Sequence, residues 1–343
     1  MKTAKEVVKQ YIAEFEEKYK CKVLYVTLSG SKLYGTDTPN SDMDFKGIFV
    51  PTKEQVLLKQ DIDHYVRDTN NSKEKNTKDD IDFSLHSLYK FFNLLEKSET
   101  GSIDVLFSMF REDTIIYQDK DFVNLMKENY KHFLNKNMSA FIGYALGQSK
   151  RFGVKGARYD ELNSFVGLLR NFSEEEKQMK LSSFFEYIRN ITYDYKYIKF
   201  TEASGPKRES KELEAYISVL GKLFHGNVTL GYFLERITKL YNQFGNRAKT
   251  ISKTKTKTDF KALSHALRIA QEVRELLKTG FIKFPLDNRD ELRDIKSGNA
   301  EAQEVIDKVR DILDAVDTLL LESDLPENSN REVMNKLLLE LLV

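Results

Sequence analysis

Only one cysteine, Cys21, occurs in the 343 residues, so the chain has no internal disulfide. That fits a reducing cytoplasm, which is the expected location. The first twenty residues are charged throughout and contain no apolar signal core, and no later window is long and apolar enough to cross a membrane. Net charge is nearly absent too. At +1 it gives no global attraction to nucleic acid, so any such binding must come from a local patch. His64, His86, His132 and His225 have no partners at metal-ligand spacing, which argues against zinc. No repeat of fixed period is present. What remains, 41% hydrophobic and 31% charged, is an ordinary globular composition, and the length calls for two domains.

The stretch Val23 to Val50 organises the rest. An alternating apolar run ends at Gly30 and Ser31, a polar loop follows, and Asp42 and Asp44 open a second apolar run, Phe45 to Val50. Residues two apart on a strand share a face, so both carboxylates point one way. Such a pair calls for a cation, and the hard, oxygen-seeking Mg²⁺ is the expected one. Gly30 has no Cβ, so its backbone can come close to phosphate, and the amides of Gly30 and Ser31 can donate to it; Lys32 can add charge. A surface turn would use similar residues, but it does not explain acids entering a strand, where Asp is disfavoured.

Along the chain, a helix ending at Tyr19 precedes the first strand, Val23 to Leu28. The polar segment Asn70 to Asp80 reads as an exposed loop, Ile81 to Leu85 as a short strand, and Leu88, Phe91, Phe92 and Leu95 as one helix face. Helical patterning takes over at Asp121, which places a domain boundary there, with a small β element around Tyr193 to Leu220. The expected domains are 1–120 and 121–343. A basic run from Arg247 to Lys261 suits either a phosphate backbone or a solvated loop. Lys261, His265 and Arg268 follow at helical spacing, so they are expected to project from one outward face, available to a triphosphate.

Gly-Ser at a strand end, ten residues, then Asp-x-Asp resembles the signature of the DNA polymerase beta-type nucleotidyltransferase superfamily. The string GSKLYGTDTPNSDMDFKGIFVP resembles its branch of predicted nucleotidyltransferases associated with RNA repair, as do DFSLHSLYKFFNLL and KALSHALRIAQEVRELLKTGFIKFPL further on. The resemblance implies an α+β protein, with a catalytic domain on a small mixed sheet, a mostly helical C-terminal domain, and the nucleotide between them. It implies that Asp42 and Asp44 hold Mg²⁺ or Mn²⁺ and that Asp82 is the third carboxylate, with Asp80 its rival on the same face. It further implies transfer of a nucleoside monophosphate to a hydroxyl, with RNA termini favoured as acceptor. Nucleotidylation of a protein or small molecule, and a catalytically silent nucleotide- or RNA-binding module, stay open as alternatives.

Overall fold

The computed structural model describes residues 4–39, 41–68, 80–147, 155–169, 172–204, 213–220, 222–242 and 258–342. Residues 69–79, which take in the polar segment Asn70 to Asp80 except Asp80, and residues 243–257, which take in most of the basic run Arg247 to Lys261, lie outside the described residues. Two compact units divide the chain. One is built from residues 1–150 together with 260–343, the other from 151–259.

The first unit contains a mixed sheet of β1 (Lys22–Leu28), β2 (Met43–Val50), β3 (His64–Asp68), β4 (Ile81–Ser87) and β5 (Ile115–Gln118), in the order β3-β4-β2-β1-β5. β1 runs antiparallel to β2 and β5, whereas β2 and β4 are parallel. Alternation sends Phe45 and Phe49 of β2, and Phe83 and Leu85 of β4, to one face. There they meet Val8, Ile12 and Phe15 of the Ala4–Tyr19 helix, with the Phe15 and Phe49 rings 4.9 Å apart. The other face carries Ile48 and Val50 and receives the Leu88–Glu96 helix through Leu88, Phe91, Phe92 and Leu95. A bulge at Leu24 turns both Leu24 and Tyr25 toward this second face.

The division does not fall near Asp121. Phe122, Val123 and Met126 of the Lys120–Asn129 helix and Phe141 of the Ser139–Gly147 helix are buried in the same core as Phe92 and Phe107. After the second unit the chain returns to that core with the Phe260–Thr279 helix, which buries Leu263, Leu267, Ala270 and Val273 there. The return adds a helix with no counterpart in the sequence reading, Arg289–Ser297. The apolar spacing from Ala302 to Leu321 would suit one helix, but the chain forms two, Ala302–Asp314 and Val316–Glu322. The architecture is therefore α+β, with a mixed sheet near the N-terminus and a helical C-terminal part.

The second unit has its own core around Leu162, Phe165, Ile217 and Phe233. Its three-stranded antiparallel sheet, β6 (Ile198–Ser204), β7 (Leu213–Val219) and β8 (Lys222–His225), corresponds to the expected β element but starts later, because Tyr193 and Tyr195 precede the first strand.

Candidate active site

β1 ends at Leu28, and the amide of Ser29 still donates to the carbonyl of Asp44 at 2.8 Å. This last rung carries Gly30 alongside Asp44. Gly30 has φ +58°, the left-handed region that favours glycine, and a Cβ there would stand 3.2 Å from Asp44 Cγ and closer still to Oδ2. Gly30 therefore permits a close approach to Asp44, and it opens a short helix, Gly30–Tyr34, rather than a simple turn.

Asp44 lies on β2 directly opposite Asp82 of β4 in the parallel register, and Asp42 precedes β2 on the same face. The three side chains are half-buried, and their ligand atoms all lie within 4.8 Å of one another. Between the two candidates for third carboxylate, it is Asp82 that joins the group, while the carbonyl of Asp80 accepts from the amide of Met43 at 3.1 Å. Burial raises the Asp44 pKa above its ordinary value, and the charges of Asp42 and Asp82 raise it further, against the opposing pull of Lys261 and Lys46. Three all-oxygen donors that repel one another fit a hard divalent cation, whose binding would relieve both the burial and the repulsion.

Two lysines enter this picture from elsewhere. Lys261 stands exposed at the start of the Phe260–Thr279 helix, near enough to act on Asp44. Lys296, which the sequence reading missed, is half-buried among Asp42, Asp37 and Asp44; burial and Lys261 lower its pKa while the three acids raise it. It also donates to the carbonyl of Thr36 at 3.2 Å, from 260 positions away in sequence, a separation at which no local pattern reveals it. Lys46 was missed as well, although a local signal was present, since it follows Asp44 by two and so shares its face.

Other expected ligands are engaged differently. Lys32 pairs with Asp37 at 2.9 Å rather than standing free beside Gly30. His265 is half-buried on the same helix as Lys261. The outward orientation expected of Arg268 is corrected. Its side chain is buried, donates to both oxygens of Glu272 at 2.7 and 2.9 Å, and lies 3.6 Å from Asp104, with its guanidinium carbon 4.0 Å above the Tyr34 ring. Helical spacing placed Arg268 with Lys261 and His265, but Glu272, one turn further along, makes a cation inside the core tolerable. Tyr34 completes the group by donating to Asp104 at 2.6 Å.

Through Tyr34 this buried network supports the loop after Gly30. Further cations collect the carbonyls at the end of the short helix and beyond it. Arg111 donates to Lys32 and Leu33 at 3.2 and 2.6 Å, and Arg293 to Gly35 at 2.8 Å. Gly35 caps the helix at φ +75°, so Tyr34, Gly35 and Thr36 hold the shape of the loop through these contacts.

With this geometry in view, the family described as RlaP, RNA repair pathway DNA polymerase beta family, matches residues 4–171. The chain belongs to that family. A relative from Enterobacteria phage T4, named as an uncharacterized 38.9 kDa protein in the nrdC-mobD intergenic region, is 30% identical over 299 residues, covering 86% of this chain and 88% of its own. A nucleotidyltransferase-like protein from Exiguobacterium sibiricum 255-15, solved at 1.90 Å, aligns with 97% of this chain and 80% of its own at 11% identity, with a TM-score of 0.27. Family membership makes the chain a polymerase beta-like nucleotidyltransferase with an acidic triad at Asp42, Asp44 and Asp82. Such a family implies a nucleotide substrate and a divalent metal. Among the described residues no helix is long and apolar enough to cross a membrane.

Proposed function

We propose that this RlaP-family chain transfers a nucleoside monophosphate from a nucleoside triphosphate to a hydroxyl acceptor, an RNA terminus being the acceptor that the family's description favours. The observation that carries the reading is the group of three carboxylates gathered within 4.8 Å, with the Asp44 pKa raised by burial and then by the other two acids. Asp42, Asp44 and Asp82 would hold Mg²⁺ or Mn²⁺, which supplies charge stabilisation to the attacking and leaving oxygens of an in-line displacement. In that displacement the acceptor oxygen bonds to the α-phosphorus, the bond from that phosphorus to the pyrophosphate oxygen breaks, and Asp82 receives the hydroxyl proton. The amides of Gly30 and Ser31 donate to the outer phosphates, and the Ser31 hydroxyl adds a third donor. Lys261 and Lys296, with His265 one turn from Lys261, provide counter-charge there. The reading places the protein in the cytoplasm, where nucleoside triphosphates and Mg²⁺ are supplied together.

The test is incubation with each α-labelled nucleoside triphosphate and Mg²⁺ or Mn²⁺, with RNA, protein and small-molecule acceptors in turn. The expected result is metal-dependent label on RNA with release of pyrophosphate. Label on no acceptor, with any nucleotide or metal, would overturn the reading; label on protein or a small molecule alone would overturn its acceptor.

A further inference from the structure

The sheet face that carries the triad continues into a second polar site. Lys46 follows Asp44 on β2, Ser84 and His86 follow Asp82 on β4, and the register sets Lys46 beside Ser84. With Lys90 of the Leu88–Glu96 helix, and with Glu99 and Ser102 at the start of the Thr100–Ser108 helix, they line a cavity of ≈ 270 Å³. Lys46 acts on both Asp44 and His86, so it stands between the triad and the cavity.

The charges in this lining are unevenly satisfied. Glu99, the one acid of the cavity among the described residues, accepts from the amide and hydroxyl of Ser102 at 2.7 and 2.9 Å. His86 is half-buried with its ring 4.6 Å from that of His64, and burial and His64 hold its pKa down to about 4, leaving a neutral imidazole. Lys46 and Lys90 are also half-buried, and among the described residues neither ammonium group has a hydrogen-bond or ion-pair partner. Asp44 and Glu99 act on this region only across a gap, so two sheltered ammonium groups have no anion in contact, and a ligand that brings one would stabilise them.

We propose that this cavity receives the acceptor as the terminal nucleotide of a nucleic-acid strand, its phosphodiester facing Lys46 and Lys90 and its hydroxyl presented to Asp82. The inference rests on nucleotidyl transfer as the function and names the acceptor side of the same site. Sheet order separates the two substrates. Gly30 follows β1 on one edge of β2, with Lys261 and Lys296 acting near it on Asp44, whereas the cavity lies over β2 and β4, toward the other edge. A strand end brings a phosphate for these lysines, a neutral protein hydroxyl brings none, and a cationic small molecule is repelled.

Binding to the full chain, read without turnover, tests the assignment. The probes are a fluorescein-labelled single-stranded RNA oligonucleotide with a free 3′ hydroxyl, followed by anisotropy, and ATP with Ca²⁺, followed by calorimetry. Lys90→Ala should weaken oligonucleotide binding about tenfold or more and leave ATP binding unchanged; Lys46→Met, which also removes a charge acting on Asp44, should weaken oligonucleotide binding as much and ATP binding less. The slope of log affinity against log salt should flatten by about 0.7 for each lysine removed. Gly101→Ala guards against misfolding of Lys46→Met. A Cβ at Gly101 would lie 2.6 Å from Lys46 Nζ, so it displaces the ammonium while keeping every charge and favouring the helix, and it should weaken the oligonucleotide too. Unchanged oligonucleotide binding in all three variants, an equal or larger loss for ATP, or a loss seen with an acidic peptide in place of RNA would each overturn the proposal. Absence of transfer by the wild type would instead sink the proposed function and leave the binding result standing.

Discussion

Replacing Asp44 by asparagine should make the metal-free protein more stable while removing its response to metal. The ligand atoms of Asp42, Asp44 and Asp82 lie within 4.8 Å of one another. Two unit charges at that separation repel by about 1 kcal/mol at the dielectric constant of water and by about 3.5 kcal/mol at an effective value of about 20. Half-buried groups fall between these limits, and Asp44→Asn abolishes two of the three repulsions. After allowance for solvent screening, a net gain of about 1–2 kcal/mol is expected in chelator, read as a rise of a few degrees in Tm. The pH dependence has a defined sign. The Asp44 pKa is raised above 3.8, so the folded chain holds that proton more tightly than the unfolded one. The associated stability is fully present below 3.8 and is lost as pH rises through the raised value. In chelator the two proteins should therefore melt alike in acid and diverge as pH rises, with the variant the more stable. Saturating Mg²⁺ at neutral pH should raise the wild-type Tm and leave that of the variant nearly unmoved. Calorimetric scans in chelator and in Mg²⁺ across pH test all of this. A variant that melts below wild type in chelator at neutral pH, or that gains as much from Mg²⁺, would refute the reasoning.

Gly30→Ala must hold alanine at φ +58° and push Asp44 aside, so it should cost about 1–2 kcal/mol of stability but lower kcat at saturating metal far more steeply; a normal kcat would remove Gly30 from the site. Arg268→Met leaves Glu272 and Asp104 buried without their cation, so denaturant titration should show a loss of about 3–5 kcal/mol, whereas exposed Lys261→Met should unfold as wild type does. Asp82→Asn should abolish the chemical step in single-turnover assays while triphosphate still binds, and Asp80→Asn should be mild; the reverse ranking would give the role to Asp80.

Much of the site could be read locally. Asp42 and Asp44 share a face because strands alternate, and Gly30 was marked by its place at the end of an apolar run. The buried face of the Leu88–Glu96 helix was legible for a similar reason, its apolar positions recurring at helical spacing. Periodicity reports that one face is covered without saying by what. For that reason the Lys120–Asn129 helix read as the start of a new domain, although Phe122 and Met126 are covered by the core that also covers the sheet. The same limit misplaced Arg268, whose spacing matched Lys261 and whose partners, Asp104 and Tyr34, come from distant segments.

The sequence by itself determined the elements and the chemistry they carry: two strands, a glycine at their junction, and acids whose alternation fixes a common face. The tertiary structure decided which distant residues complete that chemistry. Parallel pairing of β2 with β4 sets Asp82 opposite Asp44, and return of the chain at Phe260 brings Lys261 and Lys296 to the acids and Arg268 beneath Tyr34. Local patterns encode which side of an element is buried; register and long-range packing depend on the free energy of the whole core, which no short window of sequence contains.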